Sequence, residues 1–142
     1  MKDVQRPIRF IIIHCSATPP SVDFTLEKLR RCHVTDNGWD DIGYHFYITR
    51  DGRIHPCRPL DLPGAHCHGF NRSSIGVCYE GGVTESLVPS DTRTPQQRHA
   101  LRTLLLALRS AYPDAQIRGH RDMTGVRKAC PCFDATAEYC RI

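Results

Sequence analysis

The sequence has no hydrophobic run long enough to cross a membrane. Its apolar stretches, such as Phe10 to Ile13, are far shorter than the roughly 20 residues that a membrane-spanning helix needs. The N-terminal segment MKDVQRPIRFIIIHCSA lacks the apolar core of roughly 7 to 15 residues that is typical of a secretory signal. We therefore expect a protein made in the cytoplasm without a signal peptide and without a membrane partner.

The chain also lacks a strong charge imbalance, repeats and linkers. Its formal net charge is +4 over 142 residues, and the basic residues are scattered rather than gathered into a stripe. This distribution, without a nucleic-acid-binding motif, argues against a nucleic-acid partner. Because no internal repeat or Pro/Gly/Ser-rich stretch divides the chain, residues 1–142 are predicted to form one domain. No exposed apolar stripe calls for a dimer, so we expect a monomer.

Cysteine, by contrast, is abundant, with eight residues. An even number in a small secreted chain is typical of a disulfide framework, but this chain is long enough to bury a core without disulfides. We expect most of these thiols to be reduced and to behave as small hydrophobic residues, with Cys15, Cys78 and Cys32 as the clearest examples.

Strand and helix patterns alternate along the chain and predict an α/β or α+β arrangement around one sheet. The segments RFIIIHCSA, SIGVCYEGG and AQIRGH are predicted strands. A first helix is expected to begin at a cap at Asp23 or Thr25 and to end at Asn37-Gly38. The tail from residue 121 onward is expected to be mostly loop.

The second helix has the clearest N-terminus in the chain. Thr94 is the expected cap, Pro95 takes the first helical position, and Gln97 completes a capping box. An apolar stripe follows it, formed by Leu101, Leu104, Leu105 and Leu108.

The segment GYHFYITRDGRIHPC predicts a β-hairpin around Asp51-Gly52. On its first strand Tyr44, Phe46 and Ile48 are expected to share one face, with His45 on the opposite face.

Two histidines and a cysteine suggest metal chemistry. His14 stands at the end of one predicted strand, His120 follows another, and Cys130 comes ten residues later. Two imidazoles and a thiolate are typical ligands of catalytic zinc, which keeps its fourth position for water. No HExxH or paired CxxC motif is present, so spacing alone favours a metal site no more than unrelated histidines and thiols. Either Cys130 or Cys132 could supply the sulfur.

A resemblance to a known family changes this balance. The segments IIIHCSAT, GWDDIGYHFYITRDGRIH, GAHCHGFNRSSIGVCYEGG, GHRDM and KACPCFD occur in the order found in type 2 N-acetylmuramoyl-L-alanine amidases. That family includes phage amidase-type lysozymes and resembles the peptidoglycan recognition proteins. The resemblance runs from about Arg9 to Asp134 and implies a single α/β domain with a central mixed β-sheet flanked by α-helices.

The resemblance also implies a set of site residues. The zinc ligands fall on His14, His120 and Cys130. Cys132 stands where the family more often has glycine or serine, which favours Cys130 over it. Tyr44 and Lys128 match catalytic positions, Tyr44 to orient water and Lys128 to stabilise the oxyanion. Without the resemblance they would be interpreted as a core aromatic residue and a solvated loop charge.

A further segment resembles part of the family's substrate cleft wall. His66 and Asn71 match its His-x-x-Gly-x-Asn pattern, so they are predicted to bind substrate, although a loop histidine and a turn asparagine are an equally good interpretation. The remaining histidines match no functional position: His33, His45, His55, His68 and His99. Asp122 is expected either to orient His120 or to pair with an arginine.

The implied function is Zn²⁺-dependent hydrolysis of the amide bond between N-acetylmuramic acid and L-alanine in bacterial peptidoglycan. The lack of an added wall-binding module favours an endolysin-like enzyme that acts on the wall after release from the cytoplasm. Two alternatives stay open, a non-catalytic peptidoglycan-binding module and a cytosolic amidase that recycles muropeptides.

Overall fold

The computed structural model describes residues 6–142, and its centre is a mixed five-stranded β-sheet. The strands are β1 (Phe10–Cys15), β2 (Phe46–Ile48), β3 (Ile54–Pro56), β4 (Ser74–Tyr79) and β5 (Gln116–Gly119). They lie in the order β3-β2-β4-β1-β5. All neighbours are parallel except β2 and β3, which form the antiparallel hairpin predicted around Asp51-Gly52.

In the part of the chain that the structure describes, three α-helices accompany the sheet: α1 (Leu26–Arg30), α2 (Pro95–Ala111) and α3 (Ala135–Glu138). The first is capped by Thr25 and continues as a π-helical segment, Arg31–Asp36. Short 3₁₀ helices precede β4 and follow β5, at Asn71–Ser73 and His120–Asp122. Within residues 6–142, no helix has both the length and the apolar character needed to traverse a bilayer.

The two faces of the sheet are covered differently. Side chains alternate along a strand, and in β1 Ile11 and Ile13 pack into the core beneath α2, while Ile12 packs against Cys67 and Met123 on the other face. His14 therefore points to the face that is covered by loops. The four leucines of the α2 stripe are buried as predicted, and each buried leucine stabilises the fold by about 1.5–3 kcal/mol.

The start of α2 confirms the predicted capping box. Thr94 Oγ1 accepts a hydrogen bond from the backbone N–H of Gln97, and Gln97 Oε1 accepts one from the backbone N–H of Thr94. The amide of Gln97 also donates to the carbonyls of Ile48 and Glu80. The cap thus joins the start of the helix to the last residue of β2 and to the residue that follows β4.

Arg93 fastens the C-terminal segment. Its side chain is fully buried, binds Asp91 and Glu138 at 2.9 and 2.8 Å, and stacks on the ring of Phe133. Because a buried guanidinium is costly unless its donors are paired, these contacts act as one unit. They hold α3 and the preceding loop against the sheet, and α3 is a short helix in a tail that was expected to be mostly loop.

One expectation for the hairpin is wrong. The first strand begins at Phe46, and Tyr44 packs with Leu29, Tyr47 and Cys78 instead of sharing the face of Phe46 and Ile48. The reason lies at Gly43, whose backbone N–H donates to His33 and whose carbonyl accepts from Ala65. Tyr44 therefore lies outside the strand, which begins only at Phe46.

All eight cysteines are free thiols in the structure. Cys15 and Cys78 are buried as predicted, and so is Cys67, whereas Cys32 is only half-buried.

Candidate metal centre

Three potential metal ligands converge at one end of the parallel strands. One ligand atom each from His14, His120 and Cys130 lie within 4.8 Å of one another. Strand register explains the two histidines, because Ile13 of β1 pairs with Gly119 of β5 and the next residues along are His14 and His120. Their ring centroids are 4.4 Å apart.

Cys130 reaches this point because its loop folds back onto the sheet. The backbone N–H of Arg121 donates to the carbonyl of Cys130 at 2.7 Å, and the N–H of Cys15 donates to its Sγ at 3.2 Å. The backbone thus positions the sulfur and supplies it with a positive dipole.

Cys132 lies differently. Its Sγ is 3.8 Å from Cys15 Sγ, and burial, together with nearby Cys15, raises the pKa of the Cys132 thiol to about 12. It does not belong to the cluster that His14, His120 and Cys130 form among the described residues. Of the two cysteines, Cys130 is the one that the fold brings beside the histidines.

The two clustered histidines are held neutral. Burial lowers the pKa of His14 well below its ordinary value, with smaller contributions from His66, His120 and Lys128. Burial also lowers the pKa of His120, helped by Lys128. Neutral imidazole is the form that coordinates metals, so both rings are ready to bind one. Two imidazoles and a sulfur fit zinc and leave one coordination position open.

The cluster forms the floor of a cleft of about 320 Å³. Tyr44 and Lys128, the two predicted catalytic residues, both line it. The ring of Tyr44 lies 5.0 Å from that of His14, and burial raises the pKa of the phenol well above its ordinary value. Tyr44 is therefore a neutral hydroxyl, while Lys128 is exposed at the rim.

His66 also lines this cleft, on the side of His14. His66 Nδ1 is 2.8 Å from His14 Nε2, and His66 Nε2 is 3.2 Å from the hydroxyl of Ser74. Asn71 holds the backbone of the same loop, because its Oδ1 accepts hydrogen bonds from the N–H groups of His66 and Cys67 at 2.9 Å each. Its carbonyl oxygen is thus occupied by the loop that carries His66.

Two cleft residues were missed by the sequence interpretation. His33 and Trp39 also line the cleft, with ring centroids 4.6 Å apart. His33 Nδ1 accepts a hydrogen bond from the N–H of Gly43 at 2.9 Å. His33 enters from the π-helical segment, where ordinary helical spacing does not apply, so the sequence pattern carried no sign of it.

The acidic residues near the cluster have structural partners. Asp122 accepts a 2.6 Å hydrogen bond from the hydroxyl of Thr136, a partner that neither sequence interpretation named. Asp134 caps α3 by accepting from the N–H of Ala137. Both carboxylates are therefore used in fastening α3.

A larger hollow of about 710 Å³ lies between α1 and the hairpin. Its charged lining includes Arg50 and Glu80, which bind each other at 3.0 Å. Among the described residues it holds none of the metal-ligand cluster, so the cleft at His14 is the candidate site.

Solved amidases and peptidoglycan recognition proteins share this fold of a mixed sheet with accompanying helices. The chain belongs to the N-acetylmuramoyl-L-alanine amidase family, which matches residues 4–133. The resemblance drawn from the sequence motifs is thereby confirmed, as is the predicted α/β fold with a central mixed sheet.

Individual relatives agree with this assignment. The endolysin of Enterobacteria phage K11 is 43% identical over 122 residues, which are 86% of this chain and 79% of that protein. The human N-acetylmuramoyl-L-alanine amidase is 32% identical over 137 residues, covering 92% of this chain and 23% of its own.

Solved structures extend the likeness to the fold. The amidase LysC from Clostridium intestinale matches with a TM-score of 0.76 at 29% identity, covering 94% of this chain and 82% of its own. A mutant of Drosophila PGRP-LB in complex with tracheal cytotoxin matches with a TM-score of 0.75 at 26% identity, covering 96% and 82%.

Proposed function

We propose that this protein hydrolyses the amide bond between N-acetylmuramic acid and L-alanine in bacterial peptidoglycan, with Zn²⁺ bound by His14, His120 and Cys130. The observation that carries the proposal is the convergence of those three ligand atoms within 4.8 Å on the floor of a cleft. The endolysin and amidase relatives support the same reaction.

Zinc held by this set would supply Lewis acidity, which lowers the pKa of water from about 15.7 to about 7 and polarises the amide carbonyl. The residues of the chain must then orient the water and stabilise the charge that develops on the carbonyl oxygen. Tyr44 suits the first task. Because its pKa is raised, its hydroxyl stays protonated at neutral pH and acts through hydrogen bonds, not as a phenolate base.

Lys128 suits the second task. It is an exposed ammonium at the rim of the cleft, beside His120 and Cys130. Attack on an amide carbonyl places negative charge on the carbonyl oxygen, and a cation directed at that oxygen stabilises the transition state more than the ground state. Lys128 would therefore raise the rate more than it tightens substrate binding.

His66 and Asn71 stay predicted substrate-binding residues. Asn71 would act through the loop, since its side-chain carbonyl holds the backbone of His66. Trp39, which lines the same cleft and is 36% exposed, is an added candidate for contact with a sugar or peptide. The partner is peptidoglycan or a muropeptide, and we expect the enzyme to act as a monomer on the wall after release from the cytoplasm.

The decisive experiment compares Cys130→Ser with its matched control Cys132→Ser. Zinc content and release of L-alanine amino termini from purified peptidoglycan are measured for both and for the wild type. We expect Cys130→Ser to lose zinc and cleavage, and Cys132→Ser to keep both. Loss in Cys132→Ser alone would reassign the sulfur ligand.

The same preparations separate the two alternatives. A wild-type protein that carries no zinc and cleaves nothing, yet sediments with sacculi, would be a binding module. Cleavage of small soluble muropeptides but not of intact sacculi would indicate a recycling enzyme. We expect cleavage of intact sacculi.

A further inference from the structure

We propose that His66 and Ser74 form a hydrogen-bonded chain that fixes the tautomer of His14, so that His14 Nδ1 faces the metal. His66 is then a positioning residue for a metal ligand, a role beyond the substrate contact predicted for it. The inference deepens the zinc site proposed above and rests on it.

The chain starts at a backbone carbonyl. The hydroxyl of Ser74 donates to the carbonyl of Phe70 at 2.7 Å. A hydroxyl has only one hydrogen, so toward His66 Nε2, at 3.2 Å, Ser74 Oγ accepts. His66 Nε2 therefore carries a proton.

The protonation of His66 Nε2 decides what its other ring nitrogen can do. A neutral imidazole has one N–H, so with Nε2 protonated its Nδ1 is an acceptor. The described hydrogen bonds of the His66 ring go to Ser74 and His14 and include no carboxylate that would stabilise a second proton, so the ring is neutral. The 2.8 Å contact between the two rings is consequently donated by His14 Nε2–H to His66 Nδ1.

This leaves His14 Nδ1 with a free lone pair. A metal binds only an unprotonated nitrogen, and the tautomer of a ligating histidine is set by the hydrogen bond at its other nitrogen. The opposite tautomer of His14 would direct an N–H at the metal and an unprotonated Nε2 at the unprotonated Nδ1 of His66. The hydrogen bonds that run from the Phe70 carbonyl through Ser74 and His66 disfavour that arrangement.

Two glycines leave room for the ring of His66. A Cβ on Gly76 would come within 2.7 Å of the His66 ring, and one on Gly64 within 2.6 Å. Both distances are shorter than side chains tolerate, so a side chain at either position would displace the His66 ring. With its backbone held by Asn71, His66 has little freedom to turn away from His14.

The first test measures the zinc dissociation constant by competition with a chromophoric chelator. Partners of metal-binding histidines typically contribute about 10- to 100-fold to metal affinity, so we expect His66→Ala to weaken binding by that factor. His66→Asn, whose Oδ1 can take the place of the ring Nδ1 as acceptor, should recover most of the loss. The matched control is His68→Ala, an exposed histidine of the same loop, which should bind zinc as the wild type does.

Two further variants test the same hydrogen bonds without replacing His66. Ser74→Ala removes the acceptor for His66 Nε2–H and should weaken zinc binding less than His66→Ala. Gly76→Ala should displace the ring and weaken zinc binding. Thermal unfolding of each variant shows that the protein compared is folded. Equal zinc affinity in the wild type and in a folded His66→Ala would overturn the proposal.

The second test needs no variant and no zinc. Long-range ¹H–¹⁵N NMR of the metal-free wild type should show both His14 and His66 protonated at Nε2. A His14 ring protonated at Nδ1 would overturn the inference. If instead both tautomers are as expected and the wild type binds no zinc, the proposed function fails while the hydrogen-bonded chain stands.

Discussion

The hydroxyl of Tyr79 donates a 2.6 Å hydrogen bond to the backbone carbonyl of Pro131. Tyr79 is the last residue of β4 and is fully buried, and Pro131 follows the proposed ligand Cys130 directly. A single buried contact therefore joins the sheet to the loop that delivers the sulfur.

Removing this hydroxyl should loosen the ligand loop. We expect Tyr79→Phe to cost about 1–3 kcal/mol of unfolding free energy, because the Pro131 carbonyl loses its buried donor, and to weaken zinc binding. Urea unfolding and chelator competition measure the two effects. Tyr47→Phe is the matched control, since Tyr47 OH donates at 2.6 Å to Phe24, away from the loop. It should lose stability but keep its zinc affinity, and equal loss of zinc affinity in both variants would contradict the coupling.

Loss of the ammonium at the cleft rim should reduce turnover and not metal binding. We expect Lys128→Ala to lower kcat by about 10²- to 10³-fold, the usual effect of deleting one oxyanion-stabilising group, with zinc content unchanged. Steady-state kinetics on soluble muropeptides and metal analysis check this. Arg127→Ala, which removes the adjacent exposed charge, should stay within a few-fold of the wild type, and activity near the wild-type level in Lys128→Ala would reject its assigned role.

The hydroxyl of Tyr44 should matter for the rate in a way that its ring does not. Tyr44→Phe keeps the aromatic packing beside His14 and deletes the hydrogen-bonding group, so we expect kcat to fall by about 10²-fold while KM and zinc content change little. If the loss appeared in KM instead, Tyr44 would be a substrate-binding residue. If nothing changed, the ring alone would account for its presence in the cleft.

The Arg93 cluster should make stability depend on pH in acid. The hydrogen bond from Arg93 lowers the pKa of the Glu138 carboxyl below its ordinary value. A depressed pKa contributes stability that is fully present above the unfolded value, about 4.3, and is lost as the pH falls through the folded value.

Glu138→Gln isolates this contribution. We expect the wild type to be more stable than the variant by about 1 kcal/mol at pH 7, a figure reduced because the Glu138 side chain is 40% exposed. Near pH 3 the difference should shrink because Glu138 becomes protonated in the wild type, while the titration of Asp91 occurs in both proteins and cancels. Urea unfolding at the two pH values measures it, and a difference independent of pH would show that packing, not charge, joins Glu138 to Arg93.

The sequence predicted strands and helices well where the residues of a short segment strongly favour one secondary structure. The dense run of isoleucines before His14 forms β1, and Thr94, Pro95 and Gln97 start α2 as the capping pattern indicates. In each case neighbours in sequence decide the outcome, so no knowledge of the fold was needed.

The convergence of the site could be predicted only in part. The sequence placed His14 and His120 at strand ends, but it did not order the strands. That β1 and β5 are neighbours, with Ile13 opposite Gly119, is a property of the whole sheet. The resemblance to the amidase family supplied what the pattern could not.

The details around His66 and Tyr44 lay beyond sequence reasoning for a different reason. His66 contacts His14 across 52 positions of sequence, and the space for its ring depends on glycines in a loop and a strand. Tyr44 leaves the expected face because the backbone of Gly43 bonds with His33 and Ala65. Such contacts follow from three-dimensional packing and leave no periodic pattern in the chain.

The alternation of side chains along β1 has a consequence for how this protein tolerates insertions. Residues on one face of the strand build the core and those on the other face include His14, so one residue inserted before His14 within β1 would move the imidazole beneath α2 and an isoleucine into the cleft. Insertions in the loops that cover the site face change no such parity. A change of length in these loops therefore leaves His14 on the site face, whereas the number of residues in β1 decides on which face His14 lies.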